Sequence, residues 1–261
     1  MHKQEHITYI TEFGVAIKSP QLPLWILKRP IDYNNTEHNI QIFFSGFLEK
    51  HPEPLIGLVA DEKTALICAK FYNKPFSKRE IVAYYLEENI KGKIVNSHIR
   101  PPTQTQDIKL VQKWIYEFYI ETLNVTPPSF SVEGLSKALK KEKQEEKQEK
   151  KQKEKQKPKN LPNTQIYLLK NETETVAMGM LSDVVDNICR INLIYTPPHL
   201  RGRGYGKQIV HGLVSIVQNN GHIPMLYTTL ENIFANKLYQ SLGFVKAGQL
   251  TEILFDAVSS L

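Results

Sequence analysis

The sequence predicts a mixed α/β protein of the α+β class, with a mostly antiparallel central sheet flanked by helices. Three apolar segments at residues 165–170, 175–183 and 188–195 have the length of strands and follow one another closely, which favours antiparallel neighbours. An amphipathic helix over residues 206–219 separates the third segment from a strand at 223–229. Because a crossover helix joins strands that run in the same direction, the strands at 188–195 and 223–229 are predicted to be parallel.

The helix at 206–219 is predicted from apolar residues that recur on one face, and it ends at Asn219-Asn220-Gly221. The inward residues are Val210, Leu213, Val214 and Val217. A last strand is predicted over residues 251–255. In the amino-terminal half the clearest helix covers residues 107–123, with Asp107 near its start and an apolar stripe along its length.

Short β-rich runs at 24–27, 55–60 and 65–69 complete the amino-terminal pattern.

A glycine-rich turn joins the strand at 188–195 to the helix at 206–219. It reads Arg201-Gly202-Arg203-Gly204-Tyr205-Gly206-Lys207. Such a turn presents successive backbone N–H groups at the positive end of a helix dipole, which is a seat for a phosphate group. Its glycines allow positive φ and let a phosphate approach without meeting a Cβ. An ordinary tight turn with a basic rim is the alternative.

The spacing of this turn excludes two other phosphate loops. A Walker loop requires Gly five residues before Gly206, where Arg201 stands, and requires Ser or Thr after Lys207, where Gln208 stands. A dinucleotide fingerprint requires G-x-G-x-x-G, and neither frame of the turn completes it.

A second motif follows in the pattern Asn232-x-x-Ala235-x-x-Leu238-Tyr239-x-x-x-Gly243-Phe244. Asn232 is predicted to cap a helix, and Gly243 to end it in the left-handed conformation with Phe244 as the apolar contact beyond. Tyr239 follows Leu238 on the apolar face and is predicted to lie at its edge with a free hydroxyl. A half-buried packing role for Tyr239 is the alternative.

Together the two motifs resemble the GNAT superfamily of acyl-CoA-dependent N-acetyltransferases. The resemblance covers residues 175–255, in the family's order of strand, R-x-x-G-x-G loop, helix, strand, second helix and closing Gly-Phe. More narrowly, residues 191–198 and 226–229 look like bacterial GNAT proteins that carry a degenerate amino-terminal half. The resemblance implies the GNAT fold in a tandem arrangement, with a splayed parallel strand pair and one acyl-CoA site per chain.

The resemblance also implies a binding site for acetyl-CoA as co-substrate, without a metal. Backbone N–H groups of the turn would bind the pyrophosphate, while Arg203 and Lys207 offer additional charge. The strand ending at 194–196 would pair with the pantetheine arm, which Asn232 can also reach. The implied cofactor-binding residues are Ile194, Tyr195, Thr196, Arg201, Gly202, Arg203, Gly204, Tyr205, Gly206, Lys207 and Asn232.

Two residues are candidates for the catalytic chemistry. Tyr239 occupies the place of the family's general acid, which protonates or hydrogen-bonds the leaving thiolate. A base is needed because an alkylammonium with a pKa of about 10.4 is only about one part in 2,500 neutral at pH 7. The family commonly places Glu on the strand before the loop, but the polar residues here are Arg190 and Asn192. Glu231 is the substitute candidate, with a helix-start carboxylate as its alternative role.

Length and charge predict two folded parts separated by a solvated linker: an accessory or degenerate GNAT-like domain over 1–130, a Lys/Glu/Gln-rich linker over 131–160 and the catalytic domain over 161–261. The net charge of +6 lies in the segment 137–159, which contains 11 Lys and 5 Glu; the remaining 22 basic and 22 acidic residues balance. The basic character therefore belongs to one tract and not to a folded face.

Several partner classes are excluded or disfavoured by the sequence. It contains no run of 18 apolar residues, which predicts no membrane span, and no secretory signal is recognisable at residues 1–12. The isolated Cys68 and Cys189 are typical of a reduced, cytoplasmic protein, and the histidines form no ligand cluster. A small-molecule amine is the expected partner, and the oligomeric state is left open.

Three alternative functions stay open. The acceptor can be a protein or peptide amine, or the chain can be a non-catalytic acyl-CoA-binding regulator, as the missing strand carboxylate suggests. RNA binding through the Arg-Gly turn and the Lys tract is disfavoured, because such segments are usually repeated and disordered, whereas this turn occurs once between ordered elements.

Overall fold

The computed structural model describes residues 7–19, 22–28, 37–88, 98–123 and 165–256. The predicted linker at 131–160 lies outside these ranges, and the domain boundaries stay predictions. The chain divides into two compact units. The first comprises Met1–Ala83, Tyr227–Asn236 and Lys246–Leu261, and the second Tyr84–Leu226 and Lys237–Val245.

The first unit is built on a mixed sheet with two helices. Its strand order is β1 (Ile7–Ile10), β2 (Gly14–Lys18), β3 (Leu24–Lys28), β4 (Gly57–Ala60), β11 (Val245–Phe255) and β5 (Phe76–Tyr85). The pairs β1–β2, β2–β3 and β4–β11 are antiparallel, and β3–β4 is parallel. Helices α1 (Glu37–Lys50) and α2 (Glu62–Tyr72) contribute to an apolar core of this unit that is rich in phenylalanine.

The prediction of a β-rich run at 65–69 was wrong, because these residues form the middle of α2. Asp61 caps this helix by accepting a hydrogen bond from Thr64 N at 3.2 Å, and Asn73 ends it in the left-handed conformation. A short apolar run cannot be assigned to helix or strand by periodicity alone. Here the capping residues Asp61 and Asn73 determine that the run is helical. The strand predicted at 251–255 is confirmed but begins earlier, at Val245.

The second unit confirms the predicted order of strands in the carboxyl-terminal part. β7 (Gln165–Lys170), β8 (Thr175–Val185) and β9 (Ile188–Tyr195) are successive antiparallel neighbours, and the short β6 (Ile99–Arg100) pairs with β7. β10 (Ile223–Thr229) pairs with β9 in parallel, as the crossover helix requires.

Helices pack against the strands of the second unit. α4 (Tyr205–Asn219) lies against β8 and β9, with the predicted inward residues Val210, Leu213, Val214 and Val217 fully buried. α3 (Thr105–Leu123) contributes Val111, Trp114 and Ile115 to a core that also contains Tyr195. Asp107 near the start of α3 receives two hydrogen bonds from the Arg100 guanidinium, at 2.7 and 3.0 Å. α5 (Ile233–Ser241) follows β10.

Candidate functional site

The glycine-rich turn lies between β9 and α4, after a 3₁₀ turn at Pro198–Leu200. Gly204 is the N-cap residue of α4 and has a φ of 81°, and Gly202 has a φ of 76°. The first helical hydrogen bond runs from Gln208 N to Gly204 O at 3.1 Å. The N–H groups of residues 205–207 therefore precede the first helical bond and point out of the positive end of the helix.

Open space surrounds the two left-handed glycines. A Cβ added to Gly202 or Gly204 would meet no atom within 4 Å, so positive φ alone requires glycine there. A Cβ on Gly206 would lie 3.6 Å from Leu238 Cδ1 and 3.9 Å from Thr196 Oγ1. The turn therefore packs on its inner side and leaves its outer side clear, which fits the size and charge of a phosphate group.

The side chain of Arg201 holds the turn in place. Its guanidinium forms two contacts of 2.6 Å with the carboxylate of Glu121 on α3 and donates from Nε to Thr196 O at 2.9 Å. Its backbone N–H donates to Pro198 O at 3.3 Å within the 3₁₀ turn. Arg201 is therefore engaged by the protein through both its main chain and its side chain, and it positions the turn.

Tyr195 fixes the end of β9 to the same helix. The side chain is buried, its ring lies 6.0 Å from that of Trp114, and its hydroxyl donates to Glu117 Oε2 at 3.0 Å. Burial, followed by the adjacent Glu117 carboxylate, raises the pKa of Tyr195 to about 12. The phenol therefore stays protonated at neutral pH, and only the backbone of Tyr195 remains for a ligand.

Two cations of the turn are exposed, as the sequence predicted. Arg203 and Lys207 form no ion pair within the described part of the chain. Burial of the His211 ring lowers its pKa, and the positive charge of Lys207 lowers it further. Both cations are therefore available to a negatively charged ligand.

β9 contains a bulge before it reaches the turn. Met178 lies opposite Tyr195, whereas Met180 lies opposite Asn192, so β9 holds one extra residue between these pairs. Leu193 in this bulge has a φ of 48°, which is rare for a leucine.

The parallel pairing of β9 with β10 is confined to the first residues of both strands. The parallel register covers Ile223–Met225 on β10 and Ile188–Arg190 on β9, so the bulge and Ile194 lie past the paired region. In the same stretch Thr196 Oγ1 is buried and has no hydrogen-bond partner among the residues that the structure describes. A strand edge with unpaired backbone groups can accept an extended ligand as an added strand.

Tyr239 is buried on α5, with 6% of its surface exposed. Its ring contacts those of Tyr84 and Phe244, with centroids 6.1 and 6.0 Å apart. The predicted packing role is therefore present, while no residue in the described ranges bonds its hydroxyl. Burial raises the pKa of Tyr239 well above its usual range. Its neighbour Leu238 is the residue that a Cβ on Gly206 would touch, so α5 packs beside the start of α4.

Asn232 and Glu231 belong to the first unit, and Tyr239 to the second. Asn232 caps α5 as predicted, because its Oδ1 accepts from Ala235 N at 3.0 Å. Glu231 is exposed at the preceding turn and has no side-chain hydrogen bond to any described residue. Gly243 ends the helix with a φ of 89°.

Sequence reasoning missed several residues that shape the site. Glu117 and Glu121 lie four residues apart on α3, a spacing that places both carboxylates on one helix face and was a usable signal. The sequence contains no signal for the positive φ of Leu193, because leucine does not favour that conformation. It also contains no signal for the hydrogen bond from Asn192 Nδ2 to Ser182 Oγ, which spans 2.7 Å between neighbouring strands.

The geometry therefore fits the class of α+β proteins that bind a phosphate-bearing ligand at the start of a helix, beside a parallel strand pair. Residues 132–244 match the acetyltransferase (GNAT) family. This segment therefore carries a GNAT domain, and the family indicates an acyltransferase.

Solved structures agree on the fold across most of the chain. A GCN5-related N-acetyltransferase from Kribbella flavida is similar with a TM-score of 0.61 and 9% identity, over 97% of this chain and 90% of that one. A GNAT-family acetyltransferase from Colwellia psychrerythraea is similar with a TM-score of 0.57 and 10% identity, over 96% of this chain and 85% of that one. A functionally unknown conserved protein from Staphylococcus epidermidis is similar with a TM-score of 0.55 and 12% identity, over 98% of this chain and 96% of that one.

At these identities the similarity concerns the fold alone, and no curated protein matches the sequence significantly.

Two further findings concern other ligands. In the described part of the chain, no group of three or more His, Cys, Asp or Glu side chains could hold a metal ion. None of the described helices is both long and apolar enough to cross a membrane.

Proposed function

We propose that this protein is an N-acetyltransferase that transfers an acetyl group from acetyl-CoA to the primary amine of a small or amino-acid-like acceptor. The observation that carries the proposal is the turn at 201–207. Its two left-handed glycines face open space at the first turn of α4, next to the end of β9 that lies past the pairing with β10. The family generally uses acetyl-CoA, and the turn has the charge and shape that its diphosphate requires.

The residues of the turn divide the task of holding the diphosphate. The backbone N–H groups of the turn are the proposed donors to the diphosphate, whereas the side chain of Arg201 is bound to Glu121 and keeps the turn in this conformation. Arg203 and Lys207 add positive charge at the rim. The backbone of Ile194, Tyr195 and Thr196 supplies hydrogen bonds to the pantetheine amides, and the buried Thr196 hydroxyl supplies a further one.

When bound, acetyl-CoA supplies an acetyl thioester that an amine can attack. Tyr239 is the proposed hydrogen-bond donor to the departing sulfur. Since the pKa of this phenol is raised by burial, it stays protonated and donates a hydrogen bond rather than giving up its proton first. Tyr239 thereby stabilises negative charge that appears only in the transition state.

Asn232 and Glu231 are the remaining residues of the proposal. Asn232 uses Oδ1 to cap α5, which leaves its amide nitrogen for the cofactor arm. Glu231 is the proposed base, and its exposure suits a carboxylate that works through water. The free, buried Cys68 and Cys189 support a cytoplasmic location.

The experiment is calorimetric titration with CoA, followed by thiol release from acetyl-CoA over a panel of amines. CoA binding together with amine-dependent thiol release supports the proposal. CoA binding without release from any amine would favour a non-catalytic acyl-CoA-binding regulator. A failure to bind CoA would end both interpretations.

A further inference from the structure

Two carboxylates near the end of α3 contact the segments that form the proposed CoA site. Glu117 Oε2 accepts from the Tyr195 hydroxyl at 3.0 Å, at the end of β9, and Lys113 pairs with the same carboxylate at 3.6 Å. Both oxygens of Glu121 lie 2.6 Å from terminal nitrogens of Arg201, the first residue of the turn. Because residues four apart share one helix face, one side of α3 holds both the end of β9 and the start of the turn.

The Arg201 side chain joins α3 to the end of β9. Its Nε donates to Thr196 O at 2.9 Å, and its guanidinium carbon lies 5.8 Å from the centre of the Tyr195 ring. Its remaining nitrogens contact the two oxygens of Glu121, which is the geometry of a strong Arg–carboxylate pair. The planar guanidinium is therefore oriented by contacts on both sides, and Glu121 supplies its only printed ionic partner among the described residues.

α3 is anchored well before it reaches Glu121. Asp107 near its start pairs with Arg100 at 2.7 Å, and residues in its middle lie in an apolar core of the second unit. Glu121 lies in the last turn of the helix. An anchored helix gives this carboxylate a fixed position, against which the Arg201 guanidinium is oriented.

The last turn of α3 is an unfavourable place for a carboxylate. The carboxyl end of a helix carries partial negative charge, so acidic side chains there oppose the helix dipole. Residues 120–123 include no Lys, Arg or His that could compensate Glu121 from within the helix. Arg201 compensates it from the turn, and the hydrogen bond to Glu121 is the largest cause that raises the pKa of Arg201. The contact with the turn, and not the stability of α3, therefore accounts for an acid at this position.

We propose that Glu121 is a positioning residue for CoA: by holding Arg201 against the end of β9, it keeps the backbone N–H groups of the turn oriented for the diphosphate. The proposal rests on the proposed binding of acetyl-CoA at the turn. It makes a carboxylate favourable for the binding of an anion, because Glu121 acts through the conformation of the turn and not through its charge.

Charge and positioning predict opposite effects when Glu121 is removed. CoA carries several negative charges, so the loss of a carboxylate should strengthen CoA binding if only Coulomb forces matter. A released Arg201 guanidinium that turned to the diphosphate would strengthen binding further. If Glu121 positions the turn, its loss weakens binding instead. The direction of the change in the CoA Kd therefore distinguishes the two roles.

The experiment measures CoA binding by calorimetry at fixed ionic strength for wild type, Glu121→Gln and Glu121→Ala. Glu121→Ala should raise the CoA Kd about three- to fivefold, the effect of a well-formed ion pair at a partly exposed site. Glu121→Gln keeps one acceptor for the guanidinium and should fall between wild type and Glu121→Ala. Thiol-release kinetics of Glu121→Ala should show a higher KM for acetyl-CoA at an unchanged kcat, which indicates lost binding without a change in the chemical step.

A double-mutant cycle tests whether Glu121 acts through Arg201. Arg201→Ala should raise the CoA Kd at least as much as Glu121→Ala, because it also removes the hydrogen bond to Thr196 O. Adding Glu121→Ala to Arg201→Ala should then have no further effect. The control Glu53→Ala breaks the surface ion pair with Lys18 in the first unit and removes the same charge, and it should leave the Kd and KM at their wild-type values.

An unchanged or lower CoA Kd in Glu121→Ala, or additive losses in the double variant, would overturn the positioning role while CoA binding by the wild type stands. Chemical unfolding of each variant verifies that the protein measured is folded. Absence of CoA binding by the wild-type protein would instead overturn the proposed function, and this proposal with it.

Discussion

Replacing one left-handed glycine of the turn by alanine tests whether the turn binds CoA. Gly204 and Gly221 have φ values of 81° and 80°, and an added Cβ would meet no atom within 4 Å at either position. The left-handed conformation costs an alanine about 1–2 kcal/mol. The lower entropy of the unfolded chain offsets about 0.4–1 kcal/mol of this cost. Gly204→Ala and Gly221→Ala should therefore each lower the free energy of unfolding by about 1 kcal/mol.

Of the two substitutions, only Gly204→Ala should weaken CoA binding. If the turn relieves the strain by rotating a peptide, one N–H donor to the diphosphate is lost, which costs about 1.5–3 kcal/mol for a hydrogen bond to a charged group. The CoA Kd should then rise roughly ten- to hundredfold. Gly221 follows the other end of α4, so the Kd of Gly221→Ala should match that of wild type.

The assay is isothermal titration with CoA at fixed ionic strength, paired with chemical unfolding of each variant. Equal Kd values for the two variants, despite equal losses of stability, would refute a role of the turn in CoA binding. Such a result would reduce the turn to a tight connection between β9 and α4.

Two predictions concern single side chains. Tyr239→Phe should lower kcat roughly ten- to hundredfold. The KM for acetyl-CoA and the unfolding midpoint should change little, because the Tyr239 hydroxyl has no partner among the described residues. Steady-state kinetics that show an unchanged kcat would remove Tyr239 from the mechanism. Hydrogen bonds from Arg100 lower the pKa of Asp107 to about 2, so this carboxylate stabilises the fold above its unfolded pKa of about 3.9 and loses its effect as the pH falls towards 2. Asp107→Asn should thus cost about 2 kcal/mol at pH 7, and unfolding titrations should show the deficit shrinking between pH 5 and pH 2; a deficit independent of pH would contradict the assignment.

Local patterns in the sequence determined the elements that carry the turn. The periodicity of α4 and the bounds of β7 and β9 were predictable, because apolar spacing and glycines act over a few residues. The parallel direction of β10 followed from the crossover helix alone. Residues 65–69 were misassigned because the deciding interactions are caps at Asp61 and Asn73, outside the apolar run.

Tertiary structure decided which groups of the turn are free to bind a ligand. Arg201 was predicted to bind the pyrophosphate through its backbone N–H, and only the structure shows that Glu121, which lies 80 positions earlier in the sequence, holds its guanidinium. No pattern of residue types predicts the bulge at Leu193 or the unsatisfied oxygen of Asn192, because both arise from the register of β8 against β9. Spacing along a chain determines local conformation, whereas the partner of a side chain depends on which distant elements pack together.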